Sequence, residues 1–291
     1  MSETRIWVLL ARKAQNAVVL RRGPAKQVLL LRWDMTRGTF EEGQWLKGRI
    51  FERRCDLSPS GERLVYFAAK HKGTHGFGTW GGGGLFANEE RLELNARAIG
   101  KPNEGGLPPR LRVEPMGDHP GLGEDDPISH LRLLRDRWTL AQPGTMHRKD
   151  RLDPFEAEIA GKVTKLSWHY DPPRVYRRIQ ATKPGAILEM RVHGMHEVNG
   201  PWYAVEHAIL DSRERERASL GRSDWADWDA LGHLLFARAG RIYRVAREHV
   251  FDVETHAREL VDLRPLTFTR RVAPDWARQW LTRRPSTSER A

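Results

Sequence analysis

Short apolar runs set the rhythm of this chain. In the first quarter they are Ile6-Trp7-Val8-Leu9-Leu10, Ala17-Val18-Val19-Leu20, Val28-Leu29-Leu30-Leu31 and Leu64-Val65-Tyr66-Phe67. Each has the length of a strand, and polar segments rather than helical repeats follow it. Turn chemistry stands between the runs at Gly23-Pro24, Ser58-Pro59-Ser60-Gly61, Asn199-Gly200 and Gly232. Glycine supplies positive φ there and proline presets a bend. No stretch alternates strands with long amphipathic helices, so the pattern predicts an all-β chain and not an α/β one.

Taken in order, residues 5–11, 17–20 and 27–34 predict strands, and 36–48 reads as a polar loop anchored by Phe40 and Trp45. The run Gly81-Gly82-Gly83-Gly84 lacks the Gly-Lys-Ser/Thr ending of a phosphate loop. It suits strands that approach one another closely, where side chains would not fit. The acidic run Glu124-Asp125-Asp126 lacks the spaced ligands of a calcium loop and reads as solvated. Strands are expected at 131–134, 138–141 and 165–176, the last with a turn at Pro172-Pro173. Residues 211–221 read as a charged loop or one helical turn. Asp252 is placed to cap a short helix running to Leu260, and 266–271 reads as a closing strand. Pro274 begins a short C-terminal helix with Trp276 and Trp280 at i and i+4, and 285–291 is a disordered tail.

A two-residue type I′ loop at Asn199-Gly200 would oppose His193 to Glu206, His196 to Tyr203 and Met190 to Ile209. That register bears on chemistry, because His193, His196, Glu206 and His207 look at first like a metal cluster. Alternation sends His193 and His196 to opposite faces. His196 and His207 share a face but lie about 13 Å apart at strand rise, too far for one ion. They read as structural histidines, with no metal and no cofactor expected.

Two segments share one order of residues. The first is Asp56-Leu57-Ser58-Pro59-Ser60-Gly61-Glu62-Arg63-Leu64-Val65-Tyr66-Phe67-Ala68, and the second runs from Trp225-Ala226-Asp227-Trp228 through Gly232 to Leu234-Leu235-Phe236-Ala237. This signature resembles the blades of TolB-like and WD-repeat β-propellers. The resemblance implies a single β-propeller domain over 1–284, with about five or six irregular blades; two packed β-sandwiches are the alternative. It also implies a rigid ring whose loops hold a protein partner, and in some relatives a gating domain on a hydrolase. The regular Gly-His and Trp-Asp pairs of WD repeats are missing, and the marker spacings are irregular beside their period of about 40–45 residues.

The net charge is +11, and it is unevenly placed. Residues 1–56 carry 12 Lys/Arg against 6 Asp/Glu, residues 264–291 carry 7 against 2, and the interior balances at 30 against 30. If the chain's ends meet to close a ring, their surplus becomes one basic face. Arginine makes up 39 of the 49 basic residues, so a general arginine bias is the plain alternative. The single cysteine, Cys55, excludes an internal disulfide, sits among apolar residues and reads as core. No apolar run approaches a membrane span or a signal peptide, which together with the lone cysteine suggests a cytoplasmic protein with no membrane role.

The function expected from these features is a non-catalytic scaffold subunit of a bacterial-type complex, docking an acidic protein. The basic face would use Arg21, Arg22, Lys26, Arg270, Arg271, Arg283 and Arg284. The alternative is nucleic-acid binding on the same arginines, with Trp276 and Trp280 for stacking. A propeller-type hydrolase is the third reading; its acid/base residues would be His193 with Glu206, His71 with His75, or Asp227 with Asp229. None of the nucleophile-elbow, zincin, P-loop or paired-cysteine motifs occurs. Asp227 and Asp229 read more simply as acceptors for turn amides.

Overall fold

Apolar strands and tight turns fold the chain into antiparallel sheets that each keep sequence order. The computed structural model describes residues 4–23, 27–71, 77–87, 91–98, 137–148, 154–159, 161–181, 185–198 and 200–269. The first sheet is β1 (Arg5–Leu10), β2 (Asn16–Arg22), β3 (Gln27–Asp34) and β4 (Thr39–Lys47), in that order. The second joins β5 (Arg49–Ile50) and β6 (Asp56–Leu57) to β7 (Arg63–His71), then continues with β8 (Phe77–Ala87) and β9 (Arg91–Ala98).

In the third, β10 (Thr139–Gln142), β11 (Met146–Arg148) and β12 (Phe155–Ile159) share one edge of the long β13 (Lys162–Ile179). Its other edge continues through β14 (Ile187–Glu197), β15 (Tyr203–Leu210) and β16 (Glu216–Arg222). The fourth is β17 (Trp225–Trp228), β18 (Leu234–Arg238), β19 (Arg241–Val245) and β20 (Arg258–Asp262). None of these sheets closes on itself. Among the described residues no helix is long and apolar enough to cross a membrane.

Packing between the sheets runs in a cycle. Leu9, Val18, Leu20 and Leu30 of the first sheet share a core with Cys55, Leu57, Leu64 and Tyr66 of the second. The second meets the third through aromatic and cationic contacts: Phe51 lies edge-on to Trp202, with ring centroids 6.2 Å apart, and Arg53 stacks on Tyr203. A large core of Leu188, Met190, Ile209, Trp228, Phe236 and Val245 joins the third to the fourth. Val19, Leu29 and Leu31 of the first sheet then pack against Trp225, Leu235 and Ile242 of the fourth. Central strands buried on both faces explain why β2 and β3 read as unbroken apolar runs.

The Ser58 turn holds as the sequence indicates. Its Oγ accepts the amides of Glu62 and Arg63 at 3.1 and 2.9 Å, and Gly61 takes φ +77°. A Cβ on Gly61 would lie 2.9 Å from the Cβ of Asn16, so glycine also lets this turn dock under the first sheet.

Several expectations are corrected. Residues 39–47 form strand β4, because its backbone pairs with the buried β3 while Phe40 stacks on Trp33 at 5.0 Å. Pro172-Pro173 is a bulge within β13, between the His169 and Arg174 pairings, where a missing amide costs no ladder bond. The loop after Asp211 is short, and β16 follows it from Glu216. The helix at Asp252, α1 (Val253–His256), ends early, and Arg258–Asp262 instead completes the fourth sheet, a role assigned to 266–271. Residues 266–269 carry no strand pairing, and 270–271 lie outside the described residues.

β14 and β15 pair as a hairpin with a shifted register, and Asn199 lies outside the described residues. The Gly200 amide donates to the Glu197 carbonyl at 3.1 Å, and the register is already one residue off beside the turn, where Met195 and not His196 opposes Tyr203; a bulge near His193 shifts it once more, so Met190 opposes His207. The strands expected at 131–134, the C-terminal helix and the tail lie outside the described residues.

Candidate functional site: an arginine-lined seam and the cavity behind it

The seam between the first and fourth sheets is fastened by Arg21. Its side chain is fully buried, and Nε donates to the Leu263 carbonyl at 3.0 Å. Nη1 donates to the Gly23 carbonyl, and Nη2 reaches the Arg264 carbonyl at 3.3 Å. Close by, the Ile6 amide donates to Asp224 Oδ2 at 3.1 Å. Burial lowers the Arg21 pKa, and the ring of carbonyl acceptors offsets that cost. Arg21 is therefore a strut between sheets. Its assignment as a surface cation is corrected, because it follows the apolar run 17–20 on the central strand β2 and is paired with Ile6 on one side and Leu29 on the other.

A second seam, where the first, second and third sheets meet, opens into a narrow cleft of about 50 Å³. Arg5 and Arg22 line it from the first sheet, Arg53 from the second and Arg222 from the third, with Glu52 and Asp224 among them. Arg222 is held by Glu197, which also accepts from Thr164. Arg49 stands nearby with its guanidinium 4.5 Å over the Trp202 ring and 4.8 Å over Phe51. Burial, and next the positive charge of Arg22, push the Arg49 pKa down to about 10. Burial and then Arg22 lower that of Arg5 as well. Burial is the larger cause in both, with the like charge of Arg22 acting in the same direction and nearby carboxylates opposing it.

Arg53 and Trp7 line both this cleft and a cavity of about 570 Å³ behind it. The cavity collects residues from every sheet, among them Trp7, Asp56, His207 and Trp228. Arg53 is only 5% exposed, lies 3.8 Å over the Tyr203 ring and 5.6 Å over Trp7, and reaches Met190 Sδ at 3.7 Å. His207 shares a 2.8 Å hydrogen bond with Ser223 through Nδ1. Burial, reinforced by the charge on Arg53, pushes its pKa down to about 3, so the ring stays neutral.

The acid/base candidates fall elsewhere. His193 Nε2 lies 2.8 Å from Glu206 Oε2 in a half-buried pair, reached through the bulge and not through direct opposition. His196 bonds Ser167 Oγ at 3.0 Å through Nδ1 and packs on Trp202 and Trp168. Asp227 accepts from Arg178 and the Trp228 amide, and Asp229 accepts the Leu231 and His233 amides at 2.9 and 2.8 Å. Both are turn and strut acceptors. Among the described residues no three His, Cys, Asp or Glu side chains converge on one point.

Of the basic face, Arg22 is the described residue that lines the cleft. Lys26, Arg270, Arg271, Arg283 and Arg284 lie outside the described residues, as do Trp276, Trp280 and His75. Arg5, Arg49 and Arg53 were counted in the N-terminal surplus but not singled out. The signal was their position next to apolar strand residues, Ile6 and Ile50, where a cation must face a seam.

No family model matches this chain, and neither does any curated protein. Among solved structures it is similar to the crystal structure of the tricorn protease, at 9% identity over 89% of this chain and 26% of that one, with a TM-score of 0.25. The chain thus spans about a quarter of that protein's length. At that score the likeness defines neither fold nor activity.

Proposed function

We propose that this chain is a non-catalytic recognition module of β-propeller type that docks the acidic surface of a protein partner on the arginine-rich seam where its first, second and third sheets meet. The observation that carries the reading is the convergence of Arg5, Arg22, Arg53 and Arg222 on one cleft, with Arg49 stacked on Phe51 and Trp202 beside it. Holding like charges together costs energy that an acidic surface recovers on binding. The propeller assignment is supported by the cyclic order of sheet contacts and by one cavity touching every sheet. Two packed sandwiches would pair sheets face to face and need no such cycle. The four described sheets would be four blades; five or six rests on sequence spacing.

The test is affinity capture from the native host's extract with the full chain as bait, after nuclease treatment. The wild type should retain one acidic protein in stoichiometric amount, and the Arg22→Glu/Arg49→Glu double variant should not. Added salt should weaken capture, since exposed charge contacts are screened within about 8–10 Å. Retention of nothing stoichiometric refutes the reading. Loss of the bound material on nuclease treatment would put nucleic acid in the protein's place.

A further inference from the structure

We infer that the cleft holds a binding subsite for a single oxyanion, a carboxylate or a phosphate group, seated against Arg53 and the Trp7 indole. This goes beyond docking on the seam and does not depend on it. Arg53 is nine-tenths buried or more, yet it makes no ion pair with a described carboxylate, and its Nε–H has no hydrogen-bond partner among the described residues. The buried Trp7 Nε1–H and Arg49 Nε–H are likewise without one. Buried donors are nearly always paired, and a buried guanidinium without an anion bears a large desolvation cost. Three such donors around one seam ask for an acceptor, and two of their side chains, Arg53 and Trp7, line the same cleft.

The shape limits what fits. A space of about 50 Å³ admits an oxyanion headgroup and excludes a nucleotide or a whole cofactor. Arg22 brings a second guanidinium to the wall, so the two planar forks suit the oxygens of a carboxylate or phosphate. Glu52 and Asp224 also line the cleft; Asp224 already accepts the Ile6 amide. Ile6, Leu20, Val28, Ile50 and Val205 form an apolar remainder that keeps water from competing with the ion.

The experiment titrates the full chain at constant ionic strength with sodium acetate in one arm and inorganic phosphate in the other, chloride serving as the control. Calorimetry reads binding, and the Trp7 indole N–H resonance, assigned by Trp7→Phe, reads the site. The expected result is saturable binding of at least one anion at one per chain, with a shift of the Trp7 resonance. Which arm saturates distinguishes the carboxylate from the phosphate. Arg53→Met should weaken binding by about tenfold or more, the scale of one charge-assisted hydrogen bond. Should that variant fail to fold, Arg22→Met, which alters the cleft wall, should weaken it in the same direction. No saturation by either anion overturns the inference, and so does binding that both variants leave intact. Partner capture is scored separately, so an ion-free cleft in a chain that still retains its partner refutes this subsite alone.

Discussion

Arg21 and Leu263, 242 positions apart in the chain, are joined by a 3.0 Å hydrogen bond from guanidinium Nε to main-chain carbonyl. The first sheet's second strand thereby touches the turn just after the last described strand. The first and fourth sheets meet through the core, with a buried cation donating to main-chain carbonyls. The chain's basic surplus therefore has two fates: Arg21 is built into the core, while Arg5 and Arg22 line the cleft and Arg49 stacks on Phe51 and Trp202.

Replacing Arg21 by methionine keeps much of its volume and removes every donor. The carbonyls of Gly23 and Leu263 would then be buried without partners, at about 1–3 kcal/mol each, while relief of the guanidinium's desolvation returns part of the loss. Arg21→Met should lower unfolding free energy by about 2 kcal/mol in a urea titration. A variant as stable as the wild type would show that the seam needs no strut.

Much of the all-β character could be read from the chain, and the reasons are local. Ser58 and Gly61 announce their turn through a side-chain acceptor and freedom at positive φ, so that turn was legible; the pairing of β14 with β15 was legible too, but not its register. Strand β4 was not, since Glu41, Glu42 and Gln44 make it polar, and its pairing comes from β3 and not from its own composition. Pro172-Pro173 read as a turn because a bulge and a turn use the same residues; only the partner strands distinguish them. The arginine cluster was legible as charge and not as place, since Arg5, Arg49 and Arg53 come together only when sheets meet.

His207 makes stability depend on pH. Its folded pKa is depressed to about 3, against an ordinary value near 6.5, so the unfolded chain binds a proton that the folded one refuses. Stability from this group is therefore full above about pH 6.5 and falls as pH drops toward 3, by on the order of 3–5 kcal/mol over the whole window. Urea midpoints compared at neutral pH and near pH 5 should show the decline. His207→Asn, which keeps a donor for Ser223 and cannot take up a proton, should flatten that part of the profile.

Glu189 ties two arginines together on the third sheet. It is nearly buried, with Arg177 Nε at 2.8 Å on one oxygen and Arg191 Nη2 at 2.7 Å on the other. Burial works against both guanidinium charges, but hydrogen bonds to Glu189 and to Glu214 or Glu216 more than offset it, so both arginine pKa values rise. Glu189→Gln would leave two cations sharing an amide, at a cost of about 2–3 kcal/mol. The double variant Glu189→Gln/Arg191→Met should recover part of that loss. A cycle showing no coupling would mean that the exposed partners Glu214 and Glu216 suffice.

Gly194 is held by space and not by backbone angle. A Cβ there would stand 2.1 Å from the Trp168 carbonyl and 2.8 Å from the Leu166 side chain, where β14 pairs with His169 of β13. A main-chain carbonyl in a paired strand has nowhere to go, so Gly194→Ala should destabilise by about 3 kcal/mol or more. Gly161 provides the contrast: it takes φ +73° with nothing within 4 Å of an added Cβ, so alanine costs only the backbone strain of about 1 kcal/mol. Thermal melts of the two variants should therefore separate clearly, with Gly194→Ala the lower. Equal melting temperatures would mean that β13 bends away from β14 at Trp168 and that the close approach of these strands is not fixed by their packing.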